Sequence, residues 1–270
     1  MSSPEEIAVP AHHPGVSDPV YLQRRAAIAA VSADQSCAVA PFVAYTAEED
    51  SVWRTVSEAL SILHAELATD EYRVGAAALD LPLDRVPQLA WVSDRLESLT
   101  GWQIRAVPGL VPTRTFYGAL SERTFLSTQY VRHPCVPFYT PEPDIIHEMI
   151  GHANALGSPR LATLYEAAGR ASRRAVSDAQ LEAFSRVFWF TIEFGVAWEH
   201  ARLRTYGAGL LSSFGEIQEF RTSTLRPFDI SAMGQSDYDI TRFQDVLFAS
   251  PSFDVAEDLM LAYFAGFGTD

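Results

Sequence analysis

Apolar positions recur with a helical period over PVYLQRRAAIAAVSA (19–33) and again over VWRTVSEALSILHAEL (52–67). Thr46 and Glu49 precede the second run with capping-box spacing, so the helix is expected to open there and run to about Ala68. A further helical pattern covers VPQLAWVSDRLESL (86–99) and is closed by Gly101. Ser177 and Gln180 form a second capping box, and the segment behind them, DAQLEAFSRVFWFTIEFGVAWEH, is apolar almost all round. That pattern predicts a central, buried helix over 178–200. DVAEDLMLAYFAGF predicts a closing helix. Strand-like runs are fewer: WQIRAVP, TFLSTQYVRH and RFQDVLFAS, with a short strand, a glycine turn and a helix across LRTYGAGLLSSFGEIQEF. PGLVPTR reads as a loop, and Pro141 and Pro143 impose an extended entry to a helix beginning near Asp144. The pattern predicts a single, mainly α domain with a few short β-strands over 19–270, behind a flexible tail over 1–18.

Composition narrows the function classes. With 270 residues and 48% hydrophobic content, the chain has ample material for a core. A net charge of -14 disfavours nucleic acid and anionic membrane surfaces. No apolar run reaches the ~18–20 residues of a membrane span, and the N-terminus lacks the pattern of a signal peptide, so a cytoplasmic location is expected. Cys37 and Cys135 are too few for a disulfide framework and read as buried thiols. His12 and His13 are expected to face solvent, His64 to be packed or solvated, and His133 and His200 to be structural.

The chemistry concentrates in HEMIGH (147–152). On a regular α-helix, residues four apart point about 40° apart and residues five apart about 140° apart. His147 and His152 therefore share an ion only where the helix ends or distorts, and Gly151 is the residue that best tolerates distortion. The same spacing disfavours a zinc hydrolase with Glu148 as general base, which is kept as the other-class alternative. Glu193 sits among Phe188, Trp189, Phe190, Ile192 and Phe194. A carboxylate in such surroundings must be protonated, paired with a cation or bound to a metal. Two histidines and one glutamate make the facial triad of non-heme Fe(II) oxygen chemistry. Arg132 is placed to fork a substrate carboxylate, or to serve structure alone.

Four blocks, TQYVRH, YTPEPDIIHEMIGH, FWFTIEFG and YGAGLLSSFGE, in this order and spacing, resemble the catalytic domain of the pterin-dependent aromatic amino acid hydroxylases. The similarity runs from roughly Pro41 to Phe264 and corresponds to the short bacterial type, for which a monomer is expected. It implies an enzyme that uses Fe(II), tetrahydropterin and O2 to hydroxylate the ring of a free aromatic amino acid. By motif, it makes His147, His152 and Glu193 the iron ligands. Arg132, Thr140 and Ser212 would hold the substrate carboxylate, and Tyr139, Pro143, Trp189 and Phe194 would shape the ring pocket. Phe116, Gly109, Val111 and Glu148 would contact the pterin. Two departures border the pocket: Leu126 stands where the family pattern has histidine, and GHANAL replaces GHVPLL. Trp189 and the apolar Ile240 favour phenylalanine, whereas ITRFQDVLFASPSF reads closely like the tryptophan branch, which is the alternative. Para attack is the family default, with meta attack open in so altered a pocket.

Overall fold

In the computed structural model, which describes residues 13–33 and 39–269, twelve helices surround two small sheets. They are α1 (Pro19–Ser32), α2 (Ala47–Leu67), α3 (Asp70–Leu79), α4 (Leu89–Thr100), α5 (Thr113–Leu120), α6 (Asn154–Leu156), α7 (Pro159–Ser172), α8 (Asp178–Phe188), α9 (Ala208–Ser212), α10 (Glu216–Glu219), α11 (Ile230–Gln235) and α12 (Phe253–Gly266). The strands are β1 (Gln103–Ala106), β2 (Thr124–Ser127), β3 (Val196–Glu199), β4 (Arg202–Thr205), β5 (Thr224–Pro227) and β6 (Val246–Ser250). β1 and β2 pair in parallel, and the second sheet runs β4-β3-β6-β5 with only β3 and β4 antiparallel.

Thr46 and Glu49 close a reciprocal capping box at α2, and Gly101 ends α4 at φ 75°. At α8 only half of the expected box forms: Ser177 accepts from the Gln180 N–H, but the Gln180 side chain accepts from the Val176 N–H. The helix expected over 178–200 is shorter: α8 leads into a π-helical turn, Trp189–Glu193, and the chain then turns into β3. Continuous apolar character does not separate a buried helix from a buried strand, and pairing of Val196 and Ala197 with β4 and β6 decides it. The strand read over 124–133 stops at Ser127, and α3, α5, α7 and β5 were not anticipated.

α2, α8 and α12 contribute Trp53, Leu60, Phe184, Met260 and Phe264 to one continuous core that also holds Met149 and Ile150 from the metal-motif segment. Of the segment expected as a tail, residues 13–18 are described, and they lie against the domain. His13 is buried, its Nδ1 accepting from the Gly15 N–H, so the solvent-facing expectation fails for it; His12 lies outside the described residues. Tyr21 donates to the Val131 carbonyl, Asp18 pairs with His133, and Arg25 pairs with Glu142, which braces the 130–144 segment from outside. Cys135 is exposed, contrary to expectation, because the loop at Pro134 carries it to the surface; Cys37 lies outside the described residues. No helix among the described residues is long and apolar enough to cross a membrane.

Candidate active site

The five-residue spacing is resolved by the backbone. Residues 147–153 form a π-helical turn, in which the Asn154 N–H donates to the Met149 carbonyl five residues back. Hydrogen bonding from i to i+5 stacks residues five apart, so His147 and His152 project to one side. Gly151 permits this through close approach: a Cβ there would meet the Ala208 carbonyl oxygen of α9 at 2.7 Å. The second π turn, closed by the Phe194 N–H on the Trp189 carbonyl, brings Glu193 to the same point.

His147 Nε2 and His152 Nε2 lie 3.1 Å apart. Glu193 Oε1 is 3.3 Å from His152 Nε2, and Oε2 is 4.0 Å from His147 Nε2. Donors about 2.1 Å from an ion and at right angles to one another lie about 3 Å apart, so the 3.1 and 3.3 Å separations suit neighbouring positions around one ion, with the 4.0 Å separation of Glu193 Oε2 from His147 wider. Two imidazole nitrogens in contact, beside a carboxylate, also call for a cation or a proton between them. The outer nitrogens are held. Ser212 Oγ lies 2.8 Å from the Ala208 carbonyl and 2.8 Å from His147 Nδ1. Its one proton goes to the carbonyl, so it accepts from His147 Nδ1–H and leaves the Nε2 lone pair facing inward. His152 Nδ1 meets the Tyr165 hydroxyl at 2.8 Å. Ser212, assigned by resemblance to the substrate carboxylate, thus sits behind a histidine. Tyr165, on the unanticipated α7, is a residue that sequence reasoning missed.

Burial, reinforced by His152, pushes the His147 imidazole down to about 4 and keeps it neutral. Burial works to raise Glu193, but His152 and His147 outweigh it and hold the carboxyl below its ordinary value. Glu148 is the opposite case. It lies within 4.8 Å of both histidines, yet burial and the neighbouring Glu193 raise its carboxyl well above the usual range against hydrogen bonds from Thr128. The histidines thus favour the carboxylate form of Glu193, whereas the surroundings of Glu148 favour its protonated form.

A cavity of about 420 Å³ opens in front of His147 and Glu193, and its walls include Arg132, Tyr139, Thr140, Pro143, Trp189, Phe194 and Ser212. Of the pocket residues, Tyr139 stands at the rim, 43% exposed, and Thr140 Oγ1 donates to the Glu142 carbonyl. Arg132 is buried, with Nε and Nη2 donating to Asp144 Oδ2 and Oδ1 at 3.0 and 2.7 Å. Asp144 is fully buried, also accepts from the backbone N–H groups of Arg132 and His147, and went unnoticed in the sequence. An acid just before HEMIGH, within reach of Arg132, was the available signal. Gly109, Val111, Phe116 and Glu148 do not line this cavity. Phe116 lies 5.8 Å from Phe125, whose ring is 4.7 Å from that of His152.

Residues 4–268 match the family described as biopterin-dependent aromatic amino acid hydroxylase, and the chain belongs to that family. It is 45% identical over 247 residues to the phenylalanine 3-hydroxylase of Streptomyces coeruleorubidus, covering 91% of this chain and 88% of that protein. It is 39% identical over 255 residues to the phenylalanine-4-hydroxylase of Dictyostelium discoideum, covering 92% of this chain and 58% of that protein. The fold is similar to crystalline Chromobacterium violaceum phenylalanine hydroxylase with bound iron(III) and 7,8-dihydrobiopterin. The TM-score is 0.81 at 32% identity, over 90% of this chain and 89% of that one. Membership makes the protein a pterin-dependent aromatic amino acid hydroxylase and displaces the zinc-hydrolase alternative.

Proposed function

We propose that the protein is an iron(II)- and tetrahydropterin-dependent phenylalanine hydroxylase that attacks the meta carbon of free L-phenylalanine. The observation that carries this reading is the convergence of His147 Nε2, His152 Nε2 and Glu193 at the wall of a largely apolar cavity. Greater identity to the Streptomyces 3-hydroxylase, 45% against 39% for the Dictyostelium 4-hydroxylase, supports meta over the para default. Ferrous iron, held by those three side chains, together with reduced pterin, supplies the oxygen-activating chemistry. Ser212 and Tyr165 fix the imidazole rings through their outer nitrogens. Arg132, its own charge balanced by Asp144, presents its remaining N–H groups to the amino acid carboxylate. Trp189, Phe194 and Pro143 enclose the ring and keep water away from it. These walls and Ile240 offer an unsubstituted ring only apolar surface. Phe116, Gly109, Val111 and Glu148 form the pterin side, with Phe116 as the stacking surface.

The test is turnover of phenylalanine, tryptophan and tyrosine in parallel with Fe(II), tetrahydrobiopterin and O2, with products resolved by ring position. Meta-tyrosine is the expected major product. Para-tyrosine as major product rejects the regiochemistry, and preferential turnover of tryptophan rejects the substrate.

A further inference from the structure

Gln244, between α11 and β6, is 7% exposed. Its carboxamide is fully used: Oε1 accepts from Trp189 Nε1 at 3.0 Å, and Nε2 donates to the carbonyls of Asp239 and Arg242 at 2.8 and 3.1 Å. Its backbone N–H donates to Glu216 Oε1 at 2.6 Å, and its carbonyl accepts from Ser223 Oγ at 2.8 Å. The same connection supplies Tyr238, stacked on Trp189 at 4.3 Å and 13°, while Ile240 and Phe243 line the substrate cavity. One side chain thus joins the cavity wall to the cavity rim. Trp189 in turn opens the π turn that ends in Glu193.

Only an amide satisfies this site. The indole N–H needs an acceptor and the two carbonyls need a donor. A carboxylate would set its second oxygen against two carbonyls, and an aliphatic side chain would leave all three groups unpaired.

We infer that Gln244 is a specificity-determining positioning residue: by locking the Trp189 indole and the 238–243 rim into one unit, it sets which ring carbon faces the metal centre. The inference rests on the proposed hydroxylation of an aromatic amino acid in this cavity. A displacement of about 1 Å is enough to take a reacting atom out of line, so a wall free to tilt presents more than one carbon.

The test uses Gln244→Leu and the nearly isosteric Gln244→Glu in the full chain. In protein carrying ¹⁵N-tryptophan, the Trp189 indole resonance, identified by its loss in Trp189→Phe, should move upfield in Gln244→Leu, which removes its acceptor, and should also leave its wild-type position in Gln244→Glu, where the second carboxylate oxygen repels the rim carbonyls. With substrate, the ratio of major to minor tyrosine isomers should fall by about tenfold, the size expected for a buried hydrogen bond, while the phenylalanine KM changes far less. An unmoved indole resonance, or a moved resonance with an unchanged isomer ratio, overturns the inference. Should Gln244→Leu fail to fold, Gln244→Glu alone decides it by the same two readouts. Wild-type turnover of tryptophan instead overturns only the substrate reading, and the isomer ratio is then read on the tryptophan products.

Discussion

At the centre of the site each residue's task follows from the partner behind it. His147 donates from Nδ1 to Ser212, because that hydroxyl spends its proton on Ala208. Ser212→Ala should therefore lower Fe(II) affinity by about 10–100-fold, the usual cost of losing an outer partner of a ligating histidine; competitive chelation measures it, and an unchanged affinity rejects the role. Glu193→Ala should lose iron and hydroxylation together, checked by metal analysis and turnover, and retained activity would refute the ligand assignment. Arg132 needs a gentler probe. Arg132→Ala leaves Asp144 buried and unpaired, at a cost of about 3–5 kcal/mol, whereas Arg132→Lys keeps the charge and loses the fork. The lysine variant should raise the phenylalanine KM more than it lowers kcat in steady-state assays, and an unchanged KM would remove Arg132 from substrate binding. The sequence singled out His147 and His152 by the HEMIGH motif, Glu193 by the cost of a carboxylate in an apolar run, and Arg132 by its place just before the motif, and the fold brings all four to one cavity or its wall. Asp144 carried a signal in its place just before HEMIGH that was passed over, whereas Tyr165 carried none, since its partner is set by tertiary contact.

Two departures from regular helix, the π turns over His147–Ala153 and Trp189–Glu193, build the proposed metal face. The first depends on α9 approaching the Gly151 backbone. A methyl at Gly151 meets backbone rather than a flexible side chain, so Gly151→Ala should destabilise the fold by about 1–3 kcal/mol, as overpacking does. Urea unfolding checks this, and wild-type stability would show that the turn does not need α9 so close. Gly151 was readable as a point of distortion, but the π geometry was not, because i to i+5 bonding leaves no pattern in one sequence. The end of α8 was hidden for a related reason: a mostly apolar run, broken only at Thr191, Glu193 and Gly195, continues from the helix into β3. α7 was recoverable, with Ser158 as N-cap and Pro159 in its first turn.

Across the whole molecule, two buried groups away from the metal make stability depend on pH in opposite directions. Burial holds His64 down at about 4, despite its contact with the Leu211 carbonyl. Its folded value lies below the ordinary 6.5, so stability present above pH 6.5 is lost as pH falls towards 4. Burial raises Glu216 to about 7, although the Gln244 N–H opposes the rise. That group favours folding below pH 4.5, and its contribution is lost as pH rises through 7. Glu216→Gln should then gain stability over wild type between pH 5 and 7.5, by at most about 3 kcal/mol. Urea midpoints at the two pH values measure this, and a constant difference would contradict it. The mainly helical architecture with a few short strands was legible from periodicity, whereas the order of the four-stranded sheet depends on contacts far apart in sequence.

The proposed function depends on one ferrous ion held by His147, His152 and Glu193. Anomalous diffraction at the iron edge from crystals grown anaerobically with Fe(II) measures it most directly. The expected result is a single strong peak about 2.0–2.2 Å from both Nε2 atoms and a Glu193 oxygen, with solvent completing the coordination. A peak elsewhere, or one coordinated by Glu148 in place of Glu193, would contradict it.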